Sequence, residues 1–503
     1  VTAPIVNTVP NGIGPQPPGT FRCDAPKRSD LNAIRFLDAF YKQGDGYKLV
    51  CHRGKLYRWT DTHWREMDEG ALHSQIYATF ERAVYVGRIG TGANALPAWV
   101  DFEVDNNRAK LIAENIKSKL YLDRDTDVPC WFEPDENVAM ESPPVDARDM
   151  IACQNGIVHA MSRQLWAHTP RLYNHYAVTY DFSPEAPAPR GWFKFLHEVW
   201  PDDPDSVATL QEIFGYLLTY RTDLQTMFMM VGPPRCGKGT IIRVLTALLG
   251  GDHNVGSVSL ADLNQRFGLE GIETKGLAVM QDTRFRSRDD GVAVERLLSI
   301  TGEDPVSVEK KGQPMYSSRL PTRFMLVSNE VPKMQDESGA LRSRMLMLKF
   351  TNEIPAAKRD ANLTGKLLGE LPGILMWALD GLDRLVERTR FAQPKSAAEG
   401  LDLLANLGST TKLFLEEMCR IDPMAQVVKA DLFAVYRQWC ETKNIRASNE
   451  VHFGRDLHAN IPHLDGTGRV TVAPNKRATA YRGLELNMAG QAMLSRSAWV
   501  TGL

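Results

Sequence analysis

Residues 227–249 read MFMMVGPPRCGKGTIIRVLTALL. A short apolar run, Met227 to Val231, leads into a glycine-bounded loop, Gly232 to Thr240, and then an amphipathic stretch, Ile241 to Leu249. Strand, glycine-rich loop and helix in that order are the setting a phosphate-binding loop needs. Gly232 and Gly237 allow a tight turn that aims several backbone N–H groups at one anion, with Pro233, Pro234, Arg235 and Cys236 filling the turn between them. A helix starting near Lys238 adds the positive end of its dipole, and Lys238 can reach the β- and γ-phosphates. Gly239 follows the lysine, so the hydroxyl expected on Mg2+ comes one position later, at Thr240. A helix entered through a glycine turn would account for the glycines but not for both flanks. The stretch predicts a site for a nucleoside triphosphate and Mg2+.

Working outward, the chain of 503 residues has room for about two to four domains. Its hydrophobic and charged contents, 43% and 24%, are those of ordinary globular protein. A formal net charge of −2 supplies no global attraction to nucleic acid, so any basic surface must be local. The 7 cysteines are scattered, with no CxxC pair, which suits a reducing cytosol and argues against a zinc ribbon. No apolar run approaches membrane-spanning length and no signal peptide is visible, so no membrane partner is expected.

The opening VTAPIVNTVPNGIGPQPPGT reads as a proline-rich linker over residues 1–28, and the natural chain is expected to extend further on this side. Residues 29–185 read as a mixed α/β domain. Within it, Asp30 to Tyr41 forms a short helix and YKLVCHRGKLYRWTDTHWREM a β-hairpin about Arg53-Gly54. Trp59 and Trp64 fit cross-strand core positions better than base stacking. Cys51, His52, His63 and His73 match no metal-ligand spacing. Asp101, Glu103 and Asp105 alternate along WVDFEVDNN, read as an exposed strand leading to a helix near Ala109 to Tyr121 rather than as a metal site. Two later runs, IVHAM and YAVTYDF, read as β-like. Beyond the proline-rich joint PEAPAPRG, residues 186–225 read as a helical pair turning at Asp202 to Asp205.

Downstream of the loop, a buried strand from Leu277 to Met280 ends in Gln281 and Asp282, and a carboxylate there can bind Mg2+. A third strand, Phe324 to Val327, ends in Ser328 and Asn329, whose amide can polarise an attacking water. Arg342 and Arg344 precede a fourth strand. Each feature alone is weak; their order and spacing after the loop give them weight.

Together these residues resemble a superfamily 3 helicase, within the AAA+ ATPases, and in particular the helicase part of phage, prophage and poxvirus primase-helicases. The likeness is carried by LQEIFGYLLT, GPPRCGKGT, LLSITGEDPVSVEKK, LVSNEVP, DESGALRSRMLMLKF and ELPGILMWALDGLDRL, and spans roughly residues 150 to 400. The resemblance implies an α/β fold: an AAA+ phosphate-loop ATPase core over residues 226–390, its parallel sheet flanked by helices, with the helical pair as a collar. It implies roles for Lys238 and Thr240 on the triphosphate and magnesium, Asp282 on magnesium, and Asn329 as polar sensor. It also implies an arginine finger acting on a neighbouring subunit, Arg344 before Arg342, and a channel hairpin in GEDPVSVEKKGQP that would set Lys310 and Lys311 on DNA phosphates. Where many members carry two consecutive acids, this chain has Gln281 first. Either that amide orients the water or another acid, Glu295 or Glu303, reaches in.

After a linker around Phe391 to Glu399, residues 410–487 read as three helices (Thr411 to Cys419, Lys429 to Thr442, Glu450 to His458) and a hairpin turning at Pro474-Asn475, together a winged helix-turn-helix. Lys476, Arg477 and Arg482 on the wing, with Arg446 and Arg455 near the third helix, would meet DNA phosphates. Residues 488–503 read as a loosely ordered tail. The expected activity is an ATP-driven helicase on single-stranded and forked DNA, working as a homo-hexameric ring in the cytoplasm of a host cell that carries the phage or mobile element. A primase domain or protein on the N-terminal side completes the expected partners. The competing readings are an origin-melting initiator that uses ATP only to assemble, and a nucleotide kinase, whose loops also spell GKGT.

Overall fold

The computed structural model describes residues 13–44, 46–91, 95–132, 145–281, 290–311, 315–331, 340–398, 400, 410–443, 447–461, 463–473 and 476–500. In the N-terminal region the helix Ser29–Phe40 is followed by strands β1 (Leu49–His52) and β2 (Lys55–Trp59). Arg53 and Gly54 both take positive φ, 50° and 79°, the pair a two-residue hairpin turn requires. That turn fixes the register, Cys51 opposite Leu56, and places Trp59 opposite Trp64 on the next strand. Both tryptophans are buried, with ring centroids 5.9 Å apart. Asp105 caps the helix Asn106–Lys119 by accepting from the Arg108 N–H at 2.8 Å. Among the described residues no cluster of histidine, cysteine and acids could hold a metal ion.

The run YAVTYDF departs from the β expectation. Its backbone touches the strand Met150–Cys153 only at intervals, Val178 N–H to Ala152 and Gln154 N–H to Tyr180. The Asn155 side chain clamps both N–H and C=O of Phe182. An amide fork thus replaces the ladder that alternation alone suggested.

The helical pair, α1 (Arg190–Val199) and α2 (Pro204–Leu218), turns at Asp203, which caps α2 through the Ser206 N–H at 3.1 Å. The start of α1 has no cap of its own. Glu370 supplies one, its carboxylate accepting from the Gly191 and Trp192 N–H groups at 3.0 and 2.9 Å. Trp192, fully buried, packs against Phe195, Phe214 and Trp377, which joins the pair to the later helix Leu371–Arg388.

The central sheet is built from β3 (Met227–Val231), β4 (Val255–Ser257), β5 (Leu277–Gln281), then β8 (Arg323–Ser328) and β9 (Met345–Lys349). All its pairings are parallel and the order across it is β4-β5-β8-β3-β9. Every residue of β3 is buried, as a strand covered on both faces must be, which explains its uninterrupted apolar run. The helices α3 (Lys238–Leu248), α4 (Asp290–Thr301) and α5 (Ala340–Ser343) belong to this core, and between α4 and β8 stands a hairpin of β6 (Val306–Val308) and β7 (Tyr316–Ser318). Gln393, in the expected linker, exchanges both amide bonds with the Met347 backbone on the edge of β9.

At the C-terminal end the helices Thr410–Met418, Lys429–Thr442 and Glu450–Asn460 precede the paired strands Asp465–Ala473 and Lys476–Leu486. Asn449 caps the third helix through the His452 N–H at 2.9 Å. A strand not anticipated, Cys419–Val428, follows the first helix and pairs with Lys476–Leu486. Its Asp-Pro and exposed Ile421 and Met424 sit at a bulge that hid its alternation. Residues 488–500 are no loose tail: Met488–Val500 is a helix that packs Met493 and Leu494 against the apolar core of this end. The tip at Pro474-Asn475 lies outside the described residues.

Candidate active site

The loop after β3 leaves the carboxyl edge of the sheet, where ligands of open parallel sheets bind. Arg235 at φ 63° and Gly237 at φ 100° reverse the backbone and turn consecutive N–H groups inward. The loop is wedged in place. A Cβ on Gly237 would stand 2.9 Å from Val199 Cγ2, and one on Gly232 would stand 2.3 Å from the Phe350 carbonyl oxygen. α1 and the end of β9 therefore set the loop's position. α3 begins at Lys238 with Gly237 as its N-terminal neighbour, and no side chain caps its first turn. Those N–H groups are left to a ligand, and the helix dipole favours an anion there.

Lys238 is buried, and its ammonium donates to the carbonyls of Gly232 and Pro233. The same nitrogen lies 3.4 Å from Asn329 Oδ1 and 3.4 Å from Cys236 Sγ. The sheet order explains the meeting with Asn329, since β8 lies directly beside β3 and its polar end emerges next to the loop. Gln281 ends β5, one strand further on, and is exposed in the same pocket.

This pocket encloses about 530 Å³ and holds Pro234 to Thr240, Gln281, Ser328 and Asn329 together. Past the loop, on the β9 side, the wall is Ile354, Arg359, Asp360, Leu363 and Thr364, with Glu198 from α1. Arg243 bridges the two halves, donating to Thr240 Oγ1 and Thr364 Oγ1, each at 3.2 Å. Lys366 bonds the Asp360 carboxylate and holds it below the ordinary range. Thr240 lines the pocket with its hydroxyl accepting from Arg243, and Asp282 lies outside the described residues.

The other expected residues fall differently. Glu303 is spent on the Thr222 hydroxyl and lines a separate cavity, and Glu295 is exposed on α4 away from the pocket. Neither can stand in for the second acid from where it sits. Arg344 is half-buried and donates to the Leu298 carbonyl of its own chain, tying β9 to α4. That is a structural bond within the subunit. Arg342 is exposed on α5.

Lys310 is a clear correction. It is buried, 4% exposed, in an ion pair with the equally buried Glu273, so it is not a surface contact for phosphate. An ammonium this deep is retained only with such a partner. Lys311, the next residue, is exposed. Of the expected C-terminal cations, Arg455, Arg477 and Arg482 are exposed, Arg482 lying 4.0 Å from Asp465. Arg446 and the Lys476 side chain lie outside the described residues.

Sequence reading missed Arg243, Glu198 and the wall from Ile354 to Thr364. Arg243 had a signal, three positions after Thr240 on an amphipathic helix. Glu198 had none, because only the packing of α1 on the loop turns it toward the pocket.

Residues 33–201 match the family described as D5 N terminal like, and residues 230–344 match a family of unknown function, DUF5906. Among solved structures, two A form apo structures of the NrS-1 C terminal region align over 86% and 91% of this chain and 95% and 100% of their own. Identity is 10% for both, with TM-scores of 0.45 and 0.47. Likeness at that level is too loose to carry inference. The first family match covers the N-terminal region and α1, and the second runs from the phosphate loop to Arg344. A region similar to the D5 N terminal like family is therefore followed by a loop-bearing core segment similar to a family with no assigned function.

Proposed function

We propose that the chain is an ATP-driven DNA helicase of the superfamily 3 type, with an AAA+ core and a C-terminal winged helix-turn-helix, that acts in replication of a phage or mobile element. One observation carries the reading: the loop lysine and two strand-end amides, Lys238, Asn329 and Gln281, converge at the carboxyl edge of one parallel sheet. A phosphate loop alone serves many enzymes. A loop with an amide 3.4 Å from its lysine suits hydrolysis, where a polar group must orient water against the γ-phosphate.

In this reading the N–H groups of the loop and the first turn of α3 bind the phosphates. Lys238 leaves its loop carbonyls for the β- and γ-oxygens, and Asn329 or Gln281 orients the attacking water. Mg2+, held by Thr240 with Asp282, would supply charge neutralisation of the triphosphate. The exposed Arg342 is better placed than the half-buried Arg344 to complete a neighbouring subunit's site. Lys311 on the β6–β7 hairpin, and Arg477 on the C-terminal hairpin, are the exposed cations proposed to meet DNA phosphates. A nucleotide kinase has no use for the amide beside the lysine.

The test is strand displacement. The wild-type protein with ATP and Mg2+ should separate a forked duplex, and Asn329→Ala should bind ATP but displace nothing. ATP hydrolysis with origin melting but without strand displacement would favour the initiator reading, and phosphoryl transfer to a nucleoside monophosphate would favour the kinase.

A further inference from the structure

Arg53 stands at the tip of the β1–β2 turn, far in sequence from the core, yet the residue is only 9% exposed and its guanidinium reaches the β6–β7 hairpin. Its Nε donates to the Arg124 carbonyl at 3.0 Å. One Nη donates to the Thr126 carbonyl at 3.4 Å and to Ser318 Oγ at 3.1 Å. The same group lies 5.6 Å from the centre of the Tyr316 ring. Tyr316 and Ser318 are the two ends of β7. The Tyr316 hydroxyl in turn donates to Glu273, and Glu273 pairs with Lys310, whose ammonium is also 5.6 Å from that ring.

Ser318 at the base of the hairpin and Tyr316 and Lys310 at its turn end are thus held by one largely buried polar cluster, and the N-terminal region enters that cluster through Arg53. A cavity of about 540 Å³ runs along the same seam, lined by Arg53 and Val128 on one side and by Glu273, Glu303 and Arg319 on the other. Next to that cavity the two regions meet through a directed fork rather than through continuous apolar packing. Only a guanidinium reaches three acceptors and a ring face at once; an ammonium in its place would keep the charge and lose the geometry.

We infer that Arg53 is a positioning residue through which the N-terminal region sets the place of the β6–β7 hairpin, and with it the DNA-dependent part of the cycle. This rests on the hairpin being the strand contact proposed above. The hairpin cannot shift against the core without breaking the Arg53–Ser318 bond or carrying the β1–β2 turn with it. Lys310, expected as a DNA contact, instead belongs to the anchor that holds the neighbouring Lys311 in place.

The experiment compares the full chain with Arg53→Lys, Ser318→Ala and the double variant. It measures ATP hydrolysis alone and over a titration of oligo-dT. Arg53→Lys and Ser318→Ala should each leave the DNA-free rate within about twofold and raise the half-saturating oligo-dT concentration by about five- to tenfold, as loss of one ordinary hydrogen bond would. The double variant should be no worse than the worse single one, because both remove the same bond. Unchanged half-saturation in both singles would overturn the inference. So would a fall of the DNA-free and DNA-stimulated rates in equal proportion, which marks a merely structural residue. A wild-type chain that hydrolyses ATP with no response to oligo-dT would instead sink the helicase reading itself.

Discussion

The ammonium of Lys238 lies 3.4 Å from the amide oxygen of Asn329, across 91 residues of sequence. Two groups proposed for different tasks, one for the phosphates of a nucleotide and one for the attacking water, are therefore neighbours. Asn329→Ala should remove the water-orienting group and spare the loop. Binding of an ATP analogue should hold within about threefold while turnover drops by on the order of a hundredfold, the scale of losing one oriented donor or acceptor in the transition state. A parallel loss of binding would show that Asn329 only shapes the loop.

The two arginines before β9 differ in burial, Arg344 half-buried and Arg342 exposed. Arg344→Ala strips the Leu298 carbonyl of its partner at a half-buried joint and should cost about 1–3 kcal/mol of stability, read as a lowered urea midpoint. Arg342→Ala, at an exposed position, should lower that midpoint less and abolish hydrolysis. Mixed with Lys238→Ala, it should recover part of the activity, since some interfaces of a mixed ring pair an intact loop with an intact arginine. Recovery with Arg344→Ala and none with Arg342→Ala would return the role to Arg344.

Lys310→Ala and Lys311→Ala should fail in different assays. Removing Lys310 leaves the Glu273 carboxylate, 4% exposed, without its ion-pair partner, and a loss of about 3–5 kcal/mol follows from breaking a buried pair on one side. Removing Lys311 should leave the unfolding transition alone and lower the salt slope of single-strand binding by about one unit. A stable Lys310→Ala protein with weakened DNA binding would restore the contact first expected of it.

Three histidines of the N-terminal region make it acid-sensitive. Burial, with Arg53 nearby, pushes His52 down to about 4; burial, with Arg65 nearby, does the same for His63; burial holds His175 well below its usual value. Each is neutral when folded and takes up a proton near pH 6.5 when unfolded. Their contribution is therefore complete above about pH 6.5 and lost progressively as pH falls toward 4. Each adds up to about 1.4 kcal/mol per pH unit across that window. Urea midpoints measured from pH 7 to 5 should fall, and His52→Asn should make the fall shallower. An identical slope in the variant would remove His52 from the titration.

The sequence revealed most where one local rule settled the outcome. The strand–loop–helix at Met227 to Leu248, the turn at Arg53-Gly54 and the Asp203 cap follow from glycine, apolar and capping positions alone. YAVTYDF misled because a remote amide, Asn155, outbids the strand ladder its alternation suggests. Lys310 and Lys311 look alike in sequence, and only the placement of Glu273 separates a buried anchor from an exposed cation. The β9-side wall of the pocket was invisible for the same reason, as Glu198 and Thr364 come together only once α1 has packed on the loop.

The most direct test of the account is ATP hydrolysis by the full chain with Mg2+, with and without oligo-dT, for the wild type and Lys238→Ala. The account predicts hydrolysis that single-stranded DNA stimulates, and its loss by on the order of a thousandfold in a Lys238→Ala protein that still unfolds cooperatively. Near-normal hydrolysis by the folded variant, or a wild-type chain that neither binds nor hydrolyses ATP, would contradict it.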